Sequence, residues 1–246
     1  MKKFLRSCLS GFCFALFGIG GIIIGATLVP LLLIFCSKQT QKQILSGTIH
    51  YLWQAFVWLM CVVKLIDIKI KNEQILHNLH GNIVIANHPS LIDIVILVSK
   101  IPHSICVVKG SLFKNVFIKS LIRRVYLSNS MSPDDFLDAA RKDLDMGYNI
   151  IIFPEGTRTQ KNKPLHLHRG FAYLQMYSGH DIQPIHIENK PYILNKGKPW
   201  YDVGNKTSVY TLKILPKIVF KAKKQQNDRK TAVSITETTK KSLFSA

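Results

Sequence analysis

Ile83-Val84-Ile85-Ala86 and Asn149-Ile150-Ile151-Ile152 are apolar runs without alternation. A strand with one wet face alternates, so these two must be covered on both sides, the situation of a mostly parallel sheet between layers of helix. Further Ile- and Val-rich candidates lie at 66–70, 104–108, 125–127, 182–188 and 207–215, with the two opening runs at 83–86 and 149–153. Helical patterns fill the gaps. The sharpest covers 133–146: Ser132 supplies an N-cap, Pro133 fits the first helical position, Asp134 and Asp135 suit the positive end, and Gly147 ends it. Another spans about 169–178 and stops at Gly179. The expected fold class is α/β, a mostly parallel sheet flanked by helices, preceded by an apolar membrane-associated helix or helical hairpin.

That N-terminal element follows from charge. Between Ser7 and Ser37 there is no charged residue. As a single helix the stretch would run about 45 Å, longer than a hydrocarbon core of about 30 Å. Gly18, Gly20, Gly21, Gly25 and Pro30 therefore predict a bend or a re-entrant hairpin. Lys2, Lys3 and Arg6 precede the run and Lys38 and Lys42 follow it, which suits two cytoplasmic ends. A secretory signal would be shorter and would end in small residues. Tyr51, Trp53, Phe56 and Trp58 mark His50 to Val63 as an interfacial helix or, on periodicity alone, a core helix.

The predicted organisation is an anchor with an interfacial helix over 1–64, one α/β domain over 65–221, and a solvated helix or loose basic tail over 222–246. Thirty-three Lys and Arg against fourteen Asp and Glu give a formal charge of +19, which favours anionic surfaces. Cys8, Cys13, Cys36, Cys61 and Cys106 have apolar neighbours and no C-x-x-C spacing, so neither a disulfide framework nor a zinc site is expected. His166 and His168 would share one face of a strand, but no thiol or carboxylate stands at ligand spacing, and no metal is expected.

Each buried run leads into a polar segment: Asn87-His88-Pro89-Ser90-Leu91-Ile92-Asp93 after the first, Phe153-Pro154-Glu155-Gly156-Thr157-Arg158 after the second. In open α/β sheets the carboxyl ends of strands carry the chemistry, so both belong on one rim. Pro89 is expected to start a helix at once, with Asp93 in its first turns reaching back to one nitrogen of His88. The other nitrogen is then a general base. Asn87 would hold the turn or the histidine backbone. Ser90 lacks the glycine-flanked elbow of a nucleophilic serine, so the attacking group is expected from the substrate. Gly156 allows close backbone approach, Arg158 can hold a phosphate or carboxylate, and Glu155 can orient that arginine or line the acceptor pocket.

In this order the segments resemble the lysophospholipid acyltransferase family, typified by 1-acylglycerol-3-phosphate acyltransferases, over about residues 65–190. The family carries N-H-x-x-x-x-D as its catalytic block and F-P-E-G-T-R as its acceptor-binding block. Val107-Val108-Lys109-Gly110-Ser111-Leu112-Phe113 looks like its second block, with Lys109 near the acceptor. Gln183-Pro184-Ile185 resembles the late proline block, and Arg169-Gly170 the basic-Gly pair. The chain departs at Arg124-Val125-Tyr126-Leu127-Ser128-Asn129-Ser130, where phosphatidate-forming members usually show a glycine at the first position and an arginine at the last.

The resemblance implies catalytic His88 and Asp93, with Asn87, Lys109, Glu155, Gly156, Thr157 and Arg158 at the substrate. It implies direct transfer of a fatty acyl group from acyl-CoA or acyl carrier protein to a lysolipid hydroxyl, most simply 1-acylglycerol-3-phosphate, by a membrane-bound enzyme whose catalytic domain faces the cytoplasm. No cofactor or metal is implied, membrane lipids are partners, and nucleic acid is not expected. The altered segment leaves open a phosphate-free or specialised lipid acceptor. A non-catalytic basic module that binds membrane or nucleic acid is the reading of a different class, and its weakness is the scatter of the basic residues.

Overall fold

The computed structural model describes residues 3–111, 119–159, 166–197, 199–219 and 229–244. Seven strands form one sheet: β1 (Ile66–Ile70), β2 (Ile83–Ala86), β3 (Ser104–Val108), β4 (Leu127–Ser128), β5 (Asn149–Ile152), β6 (Ile182–Lys190) and β7 (Ser208–Ile214). Their spatial order is β1-β7-β6-β2-β5-β3-β4. All neighbours run parallel except β6 and β7. The two unalternating runs are the centre, with Ile83 opposite Ile150 and Ile182 on either side.

Coverage of both faces follows from the two-residue period of the strands. Val84, Ala86, Cys106 and Ile151 pack to one side, with α4 (Asp93–Lys100) and two N-terminal helices, α1 (Lys3–Phe35) and α2 (Lys38–Val62). Ile83, Ile85, Ile105 and Ile150 pack to the other, with α6 (Pro133–Asp145), α7 (Gly170–Ser178) and α8 (Arg229–Phe244). Two short helices, α3 (Gln74–His77) and α5 (Lys119–Val125), complete the set. The chain leaves β2 for β3 on one side and leaves β5 for β6 on the other. The strand order thus reverses between β2 and β5, the place where open α/β sheets bind ligands.

Several expectations are corrected. Helix α1 is not interrupted at its glycines and continues through Pro30. The hairpin forms instead between α1 and α2, at Cys36 and Ser37, because the Ser37 hydroxyl accepts the Thr40 N–H and caps α2. Phe17 stacks on Trp53 at 3.9 Å, and Phe14 and Phe17 both meet Phe56, so the two helices lie antiparallel. The predicted helix at His50 is thus the second half of a longer one. It buries Leu45, Ile49, Phe56, Val57 and Met60 while exposing Tyr51 and Trp58.

Arg6, expected as a charge flanking the apolar run, is buried. Its guanidinium donates to the carbonyls of Gly204 (3.1 Å), Lys64 (2.9 Å), Leu65 (3.3 Å) and Lys206 (2.9 Å). Lys2, the companion of that expectation, lies outside the described residues. Near the other end of the hairpin, Lys42 pairs with Asp143 at 2.5 Å. The hairpin is therefore tied to the domain near both ends and lies along it.

Strand β4 is later and shorter than 125–127, since Tyr126 N donates to Ile122 O and Val125 still belongs to α5. His166 and His168 lie outside any strand. The C-terminal segment is not solvated throughout: α8 buries Ala232, Ile235, Thr236, Thr239 and Leu243. Its threonines return their hydroxyls to their own helix, Thr236 to Ala232 O and Thr239 to Ile235 O, so a polar-looking face can enter a core. Residues 222–228 of the predicted tail, and Leu112 and Phe113 of the K-G-S-L-F segment, lie outside the described residues.

Candidate active site

His88 and Asp93 meet at the carboxyl end of β2, with Nδ1 2.9 Å from Oδ2. Pro89 does not begin a helix. Residues 89–92 form a turn and α4 starts at Asp93 itself. The carboxylate closes this turn, accepting the Ser90 N–H at Oδ2 and the Ser90 O–H at Oδ1, both at 2.6 Å. Serine and an acidic residue three positions later have the spacing of a capping box, but here both bonds run from the serine to the carboxylate while the hydroxyl accepts from Ile92 N at 3.3 Å. The Ser90 hydroxyl accepts in turn from Tyr210 Oη at 2.9 Å. It is a carboxylate ligand with a donor behind it.

Asp93 is fully buried, and burial pushes its carboxyl above the usual range while His88 and Ser90 oppose the rise. An ionised carboxylate can only accept, so Nδ1 of His88 carries the hydrogen and Nε2 keeps its lone pair. Phe153 stacks on the imidazole at 4.2 Å and 20°, fixing the ring plane.

The turn after β5 is bound to the turn after β2. Thr159 N donates to His88 O at 2.7 Å, and His88 N donates to Glu155 Oε1 at 3.1 Å and to Thr159 Oγ1 at 3.2 Å. Thr159 Oγ1 also donates to Glu155 Oε1 at 2.7 Å. Burial pushes the Glu155 carboxyl up, against the pull of these donors. Glu155 thus holds the histidine backbone, and among the described residues it makes no ion pair with Arg158. Asn87 does not hold the histidine either. Its side chain exchanges two hydrogen bonds with the backbone of Ile187, extending the pairing of β2 with β6.

Gly156 adopts φ +64°, a left-handed conformation that favours glycine, and a Cβ there would meet the His168 ring at 3.1 Å. Arg158 Nη1 donates to the carbonyls of Leu194 (3.0 Å) and Asn195 (3.1 Å), so one nitrogen of the expected anion ligand is engaged by the chain itself. Thr157 Oγ1 accepts from Lys196 Nζ at 2.9 Å. Lys109 is exposed just past β3, on the same rim but separated from β2 by β5. Behind it Gly110 is pressed against Ser130 and donates its N–H to Asn129 Oδ1 at 3.0 Å.

The sequence therefore located the two turns but missed Tyr210, Thr159 and Lys196. Tyr210 lies 120 residues from Ser90 on a strand with ordinary alternation, and no local pattern announces such a partner. What the arrangement can do is take a proton at Nε2 beside a glycine turn and a guanidinium.

The acyltransferase family model matches residues 67–188, which hold both turns. A 1-acyl-sn-glycerol-3-phosphate acyltransferase of Cocos nucifera is 29% identical over 110 residues, covering 42% of this chain. The match takes in 36% of that relative, so the chain spans little over a third of its length. In fold, the chain is similar to the crystal structure of the 1-acyl-sn-glycerophosphate (LPA) acyltransferase PlsC from Thermotoga maritima. The TM-score is 0.71 at 18% identity, over 98% of this chain and 97% of that one. With both segments inside the matched stretch and the imidazole, carboxylate and arginine turn on one rim, residues 67–188 form an acyltransferase domain.

Proposed function

We propose that the protein transfers a fatty acyl group from a thioester, acyl-CoA or acyl carrier protein, to the hydroxyl of a lysolipid, most simply 1-acylglycerol-3-phosphate. The observation that carries this reading is an imidazole oriented by a buried carboxylate while two neighbouring hydroxyls are engaged, Ser90 on that carboxylate and Thr159 on Glu155. The alcohol then belongs to the substrate. Its proton passes to His88 Nε2 as its oxygen attacks the thioester carbonyl carbon. The tetrahedral intermediate expels the thiolate, which takes the proton back from the imidazolium. Asp93 holds the ring in the required tautomer and balances its transient charge, while Glu155 and Thr159 fix the backbone that bears it.

The apolar hairpin supports work at a membrane. Ile19, Ile22, Ile23, Leu31, Ile34 and Phe35 are exposed on α1, and Trp58 on α2. Because Arg6 and Lys42 tie the hairpin along the domain, it fits a place in one leaflet with the domain on the cytoplasmic face. A phosphate-free acceptor is the second reading, favoured by the engagement of Arg158 Nη1 with Leu194 and Asn195. Assays of the full chain with lysophosphatidate and with monoacylglycerol separate the two. Replacing His88 by Ala is expected to lower turnover about 10²- to 10⁴-fold, the usual worth of a positioned base, with the fold kept. Undiminished turnover in that variant would defeat the mechanism.

A further inference from the structure

The segment between β6 and β7 lies beyond the matched domain, yet it is fastened to both turns of the site. Leu91 N donates to Leu194 O at 3.0 Å, binding the segment to the turn that carries His88. Arg158 Nη1 donates to Leu194 O and Asn195 O, binding it to the arginine turn. Leu194 is fully buried, so this is a packed strap. Ser208 Oγ closes its far side on Pro191 O at 2.7 Å. The next residue after these contacts is Lys196, exposed, with Nζ 2.9 Å from Thr157 Oγ1.

From this we infer that Lys196 is a specificity-determining residue, the second cation for the phosphate of an anionic acceptor, and that Arg158 positions it. The inference deepens the acyltransferase reading and rests on it for the identity of the ligand. A phosphate monoester carries about −1.5 to −2 charges near neutral pH, more than one guanidinium with an engaged nitrogen balances. Lys196 stands on the residue next to Arg158. Two residues further, Thr159 touches the backbone amide of His88, and two residues of extended chain span at most about 7 Å. The cation is thereby linked, through Thr157 and Thr159, to the same turn that holds the backbone of the base. A lysine is suited to this place because its ammonium can leave a neutral hydroxyl for a phosphate oxygen without breaking an ion pair.

The test is equilibrium binding by the full chain in detergent micelles, titrated with lysophosphatidate and with monoacylglycerol, alongside turnover of both. Wild type is expected to prefer the phosphorylated lipid. Lys196→Ala should lose about tenfold in affinity for lysophosphatidate and not for monoacylglycerol, and Lys196→Arg should recover most of it. Equal affinities of wild type and Lys196→Ala for lysophosphatidate, or a wild type indifferent to phosphate, would overturn the inference. Acylation of monoacylglycerol by that indifferent wild type would leave the acyltransferase reading standing. Phosphate-selective binding that depends on Lys196 without turnover of either lipid would sink the acyltransferase reading and keep the cation.

Discussion

The chain Tyr210–Ser90–Asp93–His88 joins the core of the sheet to the base, and its members make different demands on stability and on catalysis. Asp93 is buried with a raised carboxyl, so the folded protein holds its proton more readily than the unfolded chain does. The sign follows by linkage: the contribution of this group to stability is fully present below the ordinary carboxylate range and is lost as pH rises through the elevated one, where the buried group ionises. Asp93→Asn removes that burden, and its amide nitrogen can face the Ser90 hydroxyl. The variant is expected to unfold at or above the wild-type temperature at pH 7, with any advantage gone at low pH, while turnover falls about 10- to 100-fold. Thermal melts at both pH values check this; a variant less stable than wild type at pH 7 would contradict it. For Tyr210→Phe the loss is one neutral hydrogen bond, worth about 1 kcal/mol and thus about fivefold. Steady-state turnover at saturating lipid reads it.

Among the elements, those defined by local chemistry were legible in the sequence. Helix α6 runs from its Ser132 cap through Pro133 to Asp145, as its turn residues require, and the unalternating runs at β2 and β5 are the sheet's centre. The site was half legible for the same reason: the turn residues declare themselves, whereas Tyr210 and Lys196 arrive from a distant strand and strap. Helix α8 was misjudged because threonine reads as polar until its hydroxyl is seen returning to its own helix. Helix α1 is held to the domain by Lys3 on Asp202, Ser10 and Phe14 on Trp200, and above all by the four hydrogen bonds of Arg6. Arg6→Ala would take a donor from four carbonyls, of which Lys64 O keeps Thr207 Oγ1 and Leu65 O keeps Ser208 N, and is expected to cost about 3 kcal/mol, since charged hydrogen bonds contribute about 1.5–3 kcal/mol. Limited proteolysis should then release the N-terminal segment while the remainder resists.

For the whole molecule, the formal charge of +19 and the exposed apolar hairpin act on the same surface through different ranges. Charge attraction is screened over about 8 Å at physiological salt, whereas apolar burial is not. Flotation with vesicles should therefore show faster or tighter capture by anionic than by neutral lipid at low salt. The difference should fade at high salt while a bound fraction remains in both. Complete release from anionic vesicles by salt alone would mean that the hairpin does not enter the bilayer.

A hairpin strapped lengthwise to its domain would also set how the lipid acceptor of the proposed reaction travels. Because α1 and α2 are tied to the domain at Arg6 and Lys42, the position of the His88 rim relative to the hairpin is fixed by packing. In the proposed reaction a single-tailed acceptor would need only to tilt its head out of the sheet of lipids, and a two-tailed product would slip back sideways without crossing water. Turnover should accordingly follow the surface density of acceptor in the bilayer, and dilution of the whole suspension at constant composition should leave the rate per bound enzyme unchanged.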